Sequence, residues 1–224
     1  MKKSLIALAV LGLSGAAMAQ SSVTLYGVAD AGIGKVKAGS PTGNDASNKV
    51  EFQSASLVTN GNSRLGVRGV EDLGGGLNVG FNFETGLDLD NGNSAFSGSG
   101  FWSRNANLWV GGGWGRILLG RTLNASFFGV TAWELTGAAN YSVVGNTYGF
   151  TGEGPRSDSV ISYKTANLGG FTADVSYTLK PDNGGNAKWD VNAIYANGPL
   201  SAAINANKTK GGKSEYHVVA RLVN

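Results

Sequence analysis

From residue 77 to residue 90 the chain reads Leu77-Asn78-Val79-Gly80-Phe81-Asn82-Phe83-Glu84-Thr85-Gly86-Leu87-Asp88-Leu89-Asp90, and apart from Thr85 every odd position is apolar. Every even position is glycine, an amide or an acid. Successive side chains of a strand point to opposite faces, so this segment makes a ribbon with one greasy side and one wet side. It is longer than an ordinary strand needs to be. A tilted strand crosses the hydrocarbon of a bilayer in about 9–11 residues. A soluble sandwich can use the same pattern with its apolar face turned inward. What the apolar faces meet, protein or lipid, therefore decides the fold.

The pattern recurs along the chain. Alternating stretches cover 23–34, 63–70, 101–111, 116–122, 158–165, 171–180, 188–196, 200–208 and 215–222, which with 77–90 predicts ten strands. In 171–180, Phe171, Ala173, Val175, Tyr177 and Leu179 oppose Thr172, Asp174, Ser176, Thr178 and Lys180 without a break. The connections alternate as well. Those at 35–62, 90–100, 123–157, 181–187 and 209–213 are long or hydrophilic, and those at 71–76, 112–115, 166–170 and 197–199 are tight. Long loops at one end and short turns at the other mark an up-and-down outer-membrane barrel, whereas a soluble sandwich has no reason to sort its loops by end. Aromatics gather near strand ends (Tyr26, Phe101, Trp102, Trp114, Phe171, Trp189, Tyr195, Tyr216), where interfacial girdles need them. The expected fold is an all-β, transmembrane, antiparallel barrel.

The N-terminus sets the compartment. Met1-Lys2-Lys3 precedes an apolar run over 5–13 and the pattern Ala17-Met18-Ala19, which reads as a secretory signal over 1–19 with the mature chain starting at Gln20. Removing Lys2 and Lys3 leaves 16 basic against 15 acidic residues, so the high isoelectric point gives no argument for nucleic acid. No cysteine is present, which excludes a disulfide framework and thiolate metal sites. Charged residues make up 15%, against about 25% in soluble domains. No mature segment is apolar enough to cross a membrane as a helix.

The stretches Val23-Thr24-Leu25-Tyr26-Gly27-Val28-Ala29-Asp30 and Ser63-Arg64-Leu65-Gly66-Val67-Arg68-Gly69-Val70-Glu71-Asp72-Leu73-Gly74-Gly75-Gly76-Leu77 resemble the trimeric general porins of β-proteobacteria. Ser103-Arg104-Asn105-Ala106 and Gly115-Arg116-Ile117-Leu118-Leu119-Gly120-Arg121 resemble the same family. The resemblance implies a sixteen-stranded barrel in the outer membrane of a Gram-negative bacterium, assembled as a homotrimer. It also implies a third outer loop folded into the lumen opposite an arginine cluster, through which small hydrophilic solutes, often anions, diffuse. The ten strands here and an Arg221-Leu222-Val223-Asn224 end without the family's terminal aromatic lead us to expect an N-terminal portion of such a barrel over 20–224.

Candidate site residues follow from parity and the resemblance together. Arg64 and Arg68 share the polar face of one strand and are expected at the constriction, where permanently charged guanidiniums attract anions. Arg104 and Arg121 fall with the lipid-facing residues and belong at the rim unless a bulge re-aims them. Arg116, beside a tight turn, is expected at the periplasmic mouth. The 123–157 run carries Phe127, Phe128, Trp133, Tyr141, Tyr148 and Phe150, too many aromatics for a solvated loop, and its acids Glu134 and Glu153 are expected to face the arginines. The alternative reading of the aromatics is burial at a trimer contact.

Other signals are weak. Asp88-x-Asp90-Asn91-Gly92-Asn93 has the wrong glycine offset for a calcium loop. His217 is the lone histidine and has no nucleophile to serve. The expectation is a non-enzymatic channel without metal or cofactor. The rivals are a barrel whose loops 35–62 and 90–100 act as an adhesin or receptor, and an outer-membrane hydrolase.

Overall fold

The computed structural model describes residues 21–35, 49–95, 100–150, 154–180 and 185–222. The leader read in 1–19 and Glu153 lie outside the described residues. Thirteen strands are present among those described: β1 (Ser22–Val28), β2 (Ala31–Gly34), β3 (Glu51–Ser54), β4 (Arg64–Gly74), β5 (Leu77–Leu87), β6 (Ser94–Ala95), β7 (Asn105–Gly112), β8 (Gly115–Leu123), β9 (Arg156–Thr165), β10 (Phe171–Thr178), β11 (Lys188–Asn197), β12 (Leu200–Thr209) and β13 (Ser214–Leu222). Ten of them form one sheet in the order β1-β4-β5-β7-β8-β9-β10-β11-β12-β13, every neighbour antiparallel, with β6 appended to β5. This is an up-and-down meander, and β1 and β13 are its two edges.

The register turns the alternation into two chemically distinct faces. Across the sheet Leu108, Leu119, Ile161, Tyr177 and Trp189 stand side by side, and all but Tyr177 are more than a third exposed. Val23 and Leu25, each 70% exposed, and Val175 and Ile204 share that apolar face. The opposite face runs Arg116, Lys164, Asp174, Asn192, Asn205, His217 in one lateral row. An apolar surface this extensive, with polar groups behind it, is the reverse of a soluble sandwich and suits lipid.

The structure corrects several boundaries. The expected strand 23–34 is two strands, because at Asp30 the backbone leaves the ladder: its N–H donates to Ser63 Oγ at 2.8 Å, and its carboxylate accepts the Gly61 N–H at 2.7 Å. β2 then pairs with β3 in a separate hairpin. The 71–76 turn is shorter than expected. β4 runs on to Gly74 through a register shift after Asp72, and Gly74, Gly75 and Gly76 all carry positive φ, which glycine alone adopts without strain. Residues 101–104 stand outside β7, tied to β5 instead by Ser103 Oγ accepting the Gly86 N–H at 3.1 Å.

Among its described residues the 123–157 run holds two α-helices, α1 (Ala125–Thr131) and α2 (Val143–Thr147). α1 lies on the polar face of β10 to β13. Its first-turn N–H groups have no helical partner, and Asp190 of β11 supplies one. The Ser126 N–H donates to Oδ1, and its hydroxyl donates to Oδ2 at 2.9 Å. Asn192 Nδ2 donates to the Ala125 carbonyl, and Asn207 Nδ2 to the Tyr148 hydroxyl at 3.2 Å. Gly129 sits against Asn205, where a Cβ would stand 2.6 Å from the amide nitrogen. Phe127, Phe128, Phe150 and Tyr148 cluster over this floor, with ring centroids 4.8–6.2 Å apart. Farther on, the run meets the loop between β3 and β4. The Asn140 N–H donates to the Asn60 carbonyl at 3.2 Å, and Asn140 Nδ2 donates to Thr59 Oγ1 at 2.9 Å.

Candidate functional site

The site grows from one lateral row of the polar face, in which Tyr26, Gly66, Glu84 and Asn105 pair in sequence across β1, β4, β5 and β7. Gly66 has no side chain, and the Tyr26 ring lies over it: a Cβ there would fall 2.5 Å from Tyr26 Cζ. The ring thus crosses β4, and its hydroxyl reaches both Asn82 Oδ1 and Glu84 Oε2 at 2.9 Å.

Glu84 is buried and collects the charge. Arg104 Nε donates to its Oε1 at 2.5 Å, and Arg64 Nε stands 3.8 Å from Oε2. Arg68, one row away on β4, holds its guanidinium carbon 5.3 Å from the Tyr26 ring centroid, a cation–π distance. The backbone of 103–104 recruits two more arginines. Arg121 Nε donates to the Ser103 carbonyl at 2.8 Å, and Arg156 Nε donates to the Arg104 carbonyl at 3.2 Å. Arg121 also pairs with Asp158 at 2.5 Å. Among the described residues, Arg64, Arg104 and Arg121 thus pair with two carboxylates, Glu84 and Asp158, while Arg68 lies over Tyr26 and Arg156 bonds a backbone carbonyl.

Arg64 and Arg68 occupy the polar face as parity predicts. Arg104, expected at the rim, is instead the residue bound tightest to Glu84. Residue 104 precedes β7, so strand parity does not govern it, and its own N–H donates to the Glu84 carbonyl at 3.0 Å. Arg121 sits where the β8–β9 register slips between Gly120 and Thr122, and this bulge breaks the alternation that places it outward. Arg116 lies near the tight turn on the polar face, its guanidinium 5.5 Å from the Trp109 ring.

Glu134 does not meet the arginines. Its Oε2 accepts from Thr136 N–H (2.8 Å), Thr136 Oγ1 (2.6 Å) and Ala138 N–H (2.8 Å), stapling its own turn. These bonds, the Thr136 hydroxyl first, hold its carboxyl below the ordinary glutamate range. Two members of the cluster escape a reading of the sequence. Glu84 is legible there only as a polar-face acid, and Arg156 hides at the end of an apparent loop.

The sequence profile of the Gram-negative porin family matches residues 4–223. Outer membrane porin protein 32 of Delftia acidovorans is 39% identical over 94% of this chain and 60% of its own length. An outer membrane porin protein of Bordetella pertussis is 34% identical over 96% of this chain and 61% of its own length. This chain thus spans about 60% of the curated relatives it matches. Among solved structures, an anion-selective porin from Comamonas acidovorans superposes with a TM-score of 0.65 at 29% identity, covering 89% of this chain and 62% of that one. A loop-deleted OmpT of Vibrio cholerae shares the fold at a TM-score of 0.59 and 16% identity, over 84% of this chain and 53% of that one. With meander and two-faced register agreeing, the chain belongs to the Gram-negative porin family, a family of the outer membrane.

Proposed function

We propose that the chain builds the wall and constriction of a passive outer-membrane pore for small hydrophilic solutes, with a preference for anions. The observation that carries this reading is the arginine cluster, whose five guanidiniums meet, among the described residues, two paired carboxylates on a face that carries amides rather than apolar side chains. Fixed cations lining a water-filled passage draw anions in and repel cations. The 123–157 run, anchored on the polar face, acts as the eyelet that limits solute size. The protein works as a homotrimer and catalyses no reaction. Its leader over 1–19 is removed on export.

The test is reversal potential in planar bilayers under a salt gradient, on the full-length protein. R64A together with R68A moves the potential toward cations, by about fivefold in relative permeability for each charge acting at close range. An unchanged potential, in a channel of unchanged conductance, removes both residues from the constriction.

A further inference from the structure

Two large apolar side chains stand on the polar face where parity asks for hydrophilic ones. Trp109 of β7 and Leu118 of β8 are direct register partners, on the side of the sheet that carries Glu84, Asn105 and Asn107. Trp109 lies two same-face positions beyond Asn105 toward the tight turn, about 13 Å along the strand at the usual rise per residue. Its ring lies flat against the wall, where a Cβ on Gly80 would stand 2.5 Å from Trp109 Cζ2. The next row holds two cations, Arg116 and Lys164, which are register partners as well. The Arg116 guanidinium is 5.5 Å from the centroid of the Trp109 ring, and the Lys164 ammonium is 5.4 Å from that of Phe128 on α1. The helix thus reaches back over the same patch. Among the described residues neither cation has a carboxylate within ion-pair distance, and Asp174, which follows Lys164 in the row, is buried. Arg116 and Phe128 are exposed, and Trp109 and Lys164 are half-buried.

We infer that this shelf is a second solute site, away from the arginine cluster, that binds a carboxylate carrying an aromatic body. The inference rests on the pore reading above, because the polar face must line a passage for a solute to reach it. Arg116 offers the carboxylate a planar pair of donors, and Lys164 a movable point charge. Trp109, Leu118 and Phe128 cover the ring of the solute. A wall serving chloride or phosphate alone gains nothing from a tryptophan beside a leucine, since apolar surface facing water forfeits its transfer free energy. A small inorganic anion answers the charges and leaves that surface wet. A neutral aromatic covers the surface and leaves the cations without a counter-ion. A solute with both halves satisfies both. Arg116, Lys164 and Asp174 together carry one net positive charge, which suits a monoanion.

The test takes the full-length protein in neutral detergent, with benzoate and acetate as probes of equal charge, and measures each dissociation constant by ligand-observed NMR against empty micelles. Benzoate binds the parent about tenfold more tightly than acetate, the scale of a packed aromatic contact. W109L lowers that preference to about threefold. K164Q, which removes one half-exposed charge, weakens benzoate binding about threefold and keeps the test decisive whether or not W109L folds. Equal affinity of the parent for benzoate and acetate overturns the inference. So does a benzoate affinity that K164Q leaves at the parent's value, which would put the ligand elsewhere on the molecule. Chloride conductance in planar bilayers separates the two readings. A parent that carries chloride without preferring benzoate sinks the shelf and spares the channel. One that carries no chloride, yet binds benzoate through Lys164, sinks the channel and spares the shelf.

Discussion

On β4 and β5 the polar face keeps its arginines together with a single buried acid, whereas on β11 and β12 the same face disappears under α1. Both regions obey the same two-residue alternation, and both present hydrophilic side chains to the same side of the sheet. They differ in what those side chains are. Asn192 and Asn207, both buried, meet the run with neutral hydrogen bonds to the Ala125 carbonyl and the Tyr148 hydroxyl, buried Asn205 lies under Gly129, and Asp190 matches the unfilled donors of the first turn of α1. Guanidiniums under a helix would lose their water and gain few acceptors, a cost that burial of unpaired charge makes prohibitive. The loop therefore settles on the amide wall rather than on the arginine wall. Alternation decides which side is wet, and the choice between charge and amide decides which part of it stays open.

The comparison breaks first at Glu84. Replacing it with glutamine strands the nearly buried Arg104 and should cost about 3–5 kcal/mol, as removal of one partner of a buried pair does, while the α1 region keeps its protection. Denaturant titration with hydrogen exchange checks this, and equal loss of protection under α1 would show that the two walls do not act separately. Next comes Asp190→Ala, which leaves the Ser126 N–H and hydroxyl without an acceptor. Loop docking should weaken by about 3 kcal/mol, read as proteolytic cleavage within 124–150 and admission of larger sugars in liposome swelling. Gly66→Ala pushes the Tyr26 ring off β4 and removes one phenolic donor from Glu84, a loss of about 1–2 kcal/mol visible in thermal melting, with β11 and β12 untouched.

The smallest effect sharpens the contrast within the loop. Because hydrogen bonds depress the Glu134 carboxyl, its stabilisation of the 134–138 turn is complete above the unfolded glutamate value and disappears as pH falls through the lower folded value. Acidification below the ordinary carboxylate range should lower the protection of the Ala138 amide relative to its intrinsic exchange rate in the parent, whereas Glu134→Gln should show the low protection already at neutral pH.

Most of the sheet is legible because period-two alternation is local: 77–90 and 171–180 announce their faces within a few residues. What stays hidden depends on distant partners. Nothing near Asp30 reveals that Ser63 will draw the backbone out of the ladder. Nothing near Arg104 reveals that Glu84, twenty positions earlier, will take its guanidinium. Parity points Arg121 outward, and it escapes through a bulge at Gly120, whose φ of +119° is a local cause without an unambiguous sequence mark. Resemblance alone puts Glu134 opposite the arginines, and its own Thr136, two residues on, wins by proximity.

The run between β8 and β9 is fastened at both feet: on Asp190 and Asn192 at one side, and on Thr59 and Asn60 at the other. A strap held that way works like the tie across an arch. A bilayer squeezes its inclusions sideways, and a curved wall left to itself would flatten or splay under that load. With the tie in place, these fasteners add to the bending stiffness of the ribbon, so loosening either foot should let the two sides move apart.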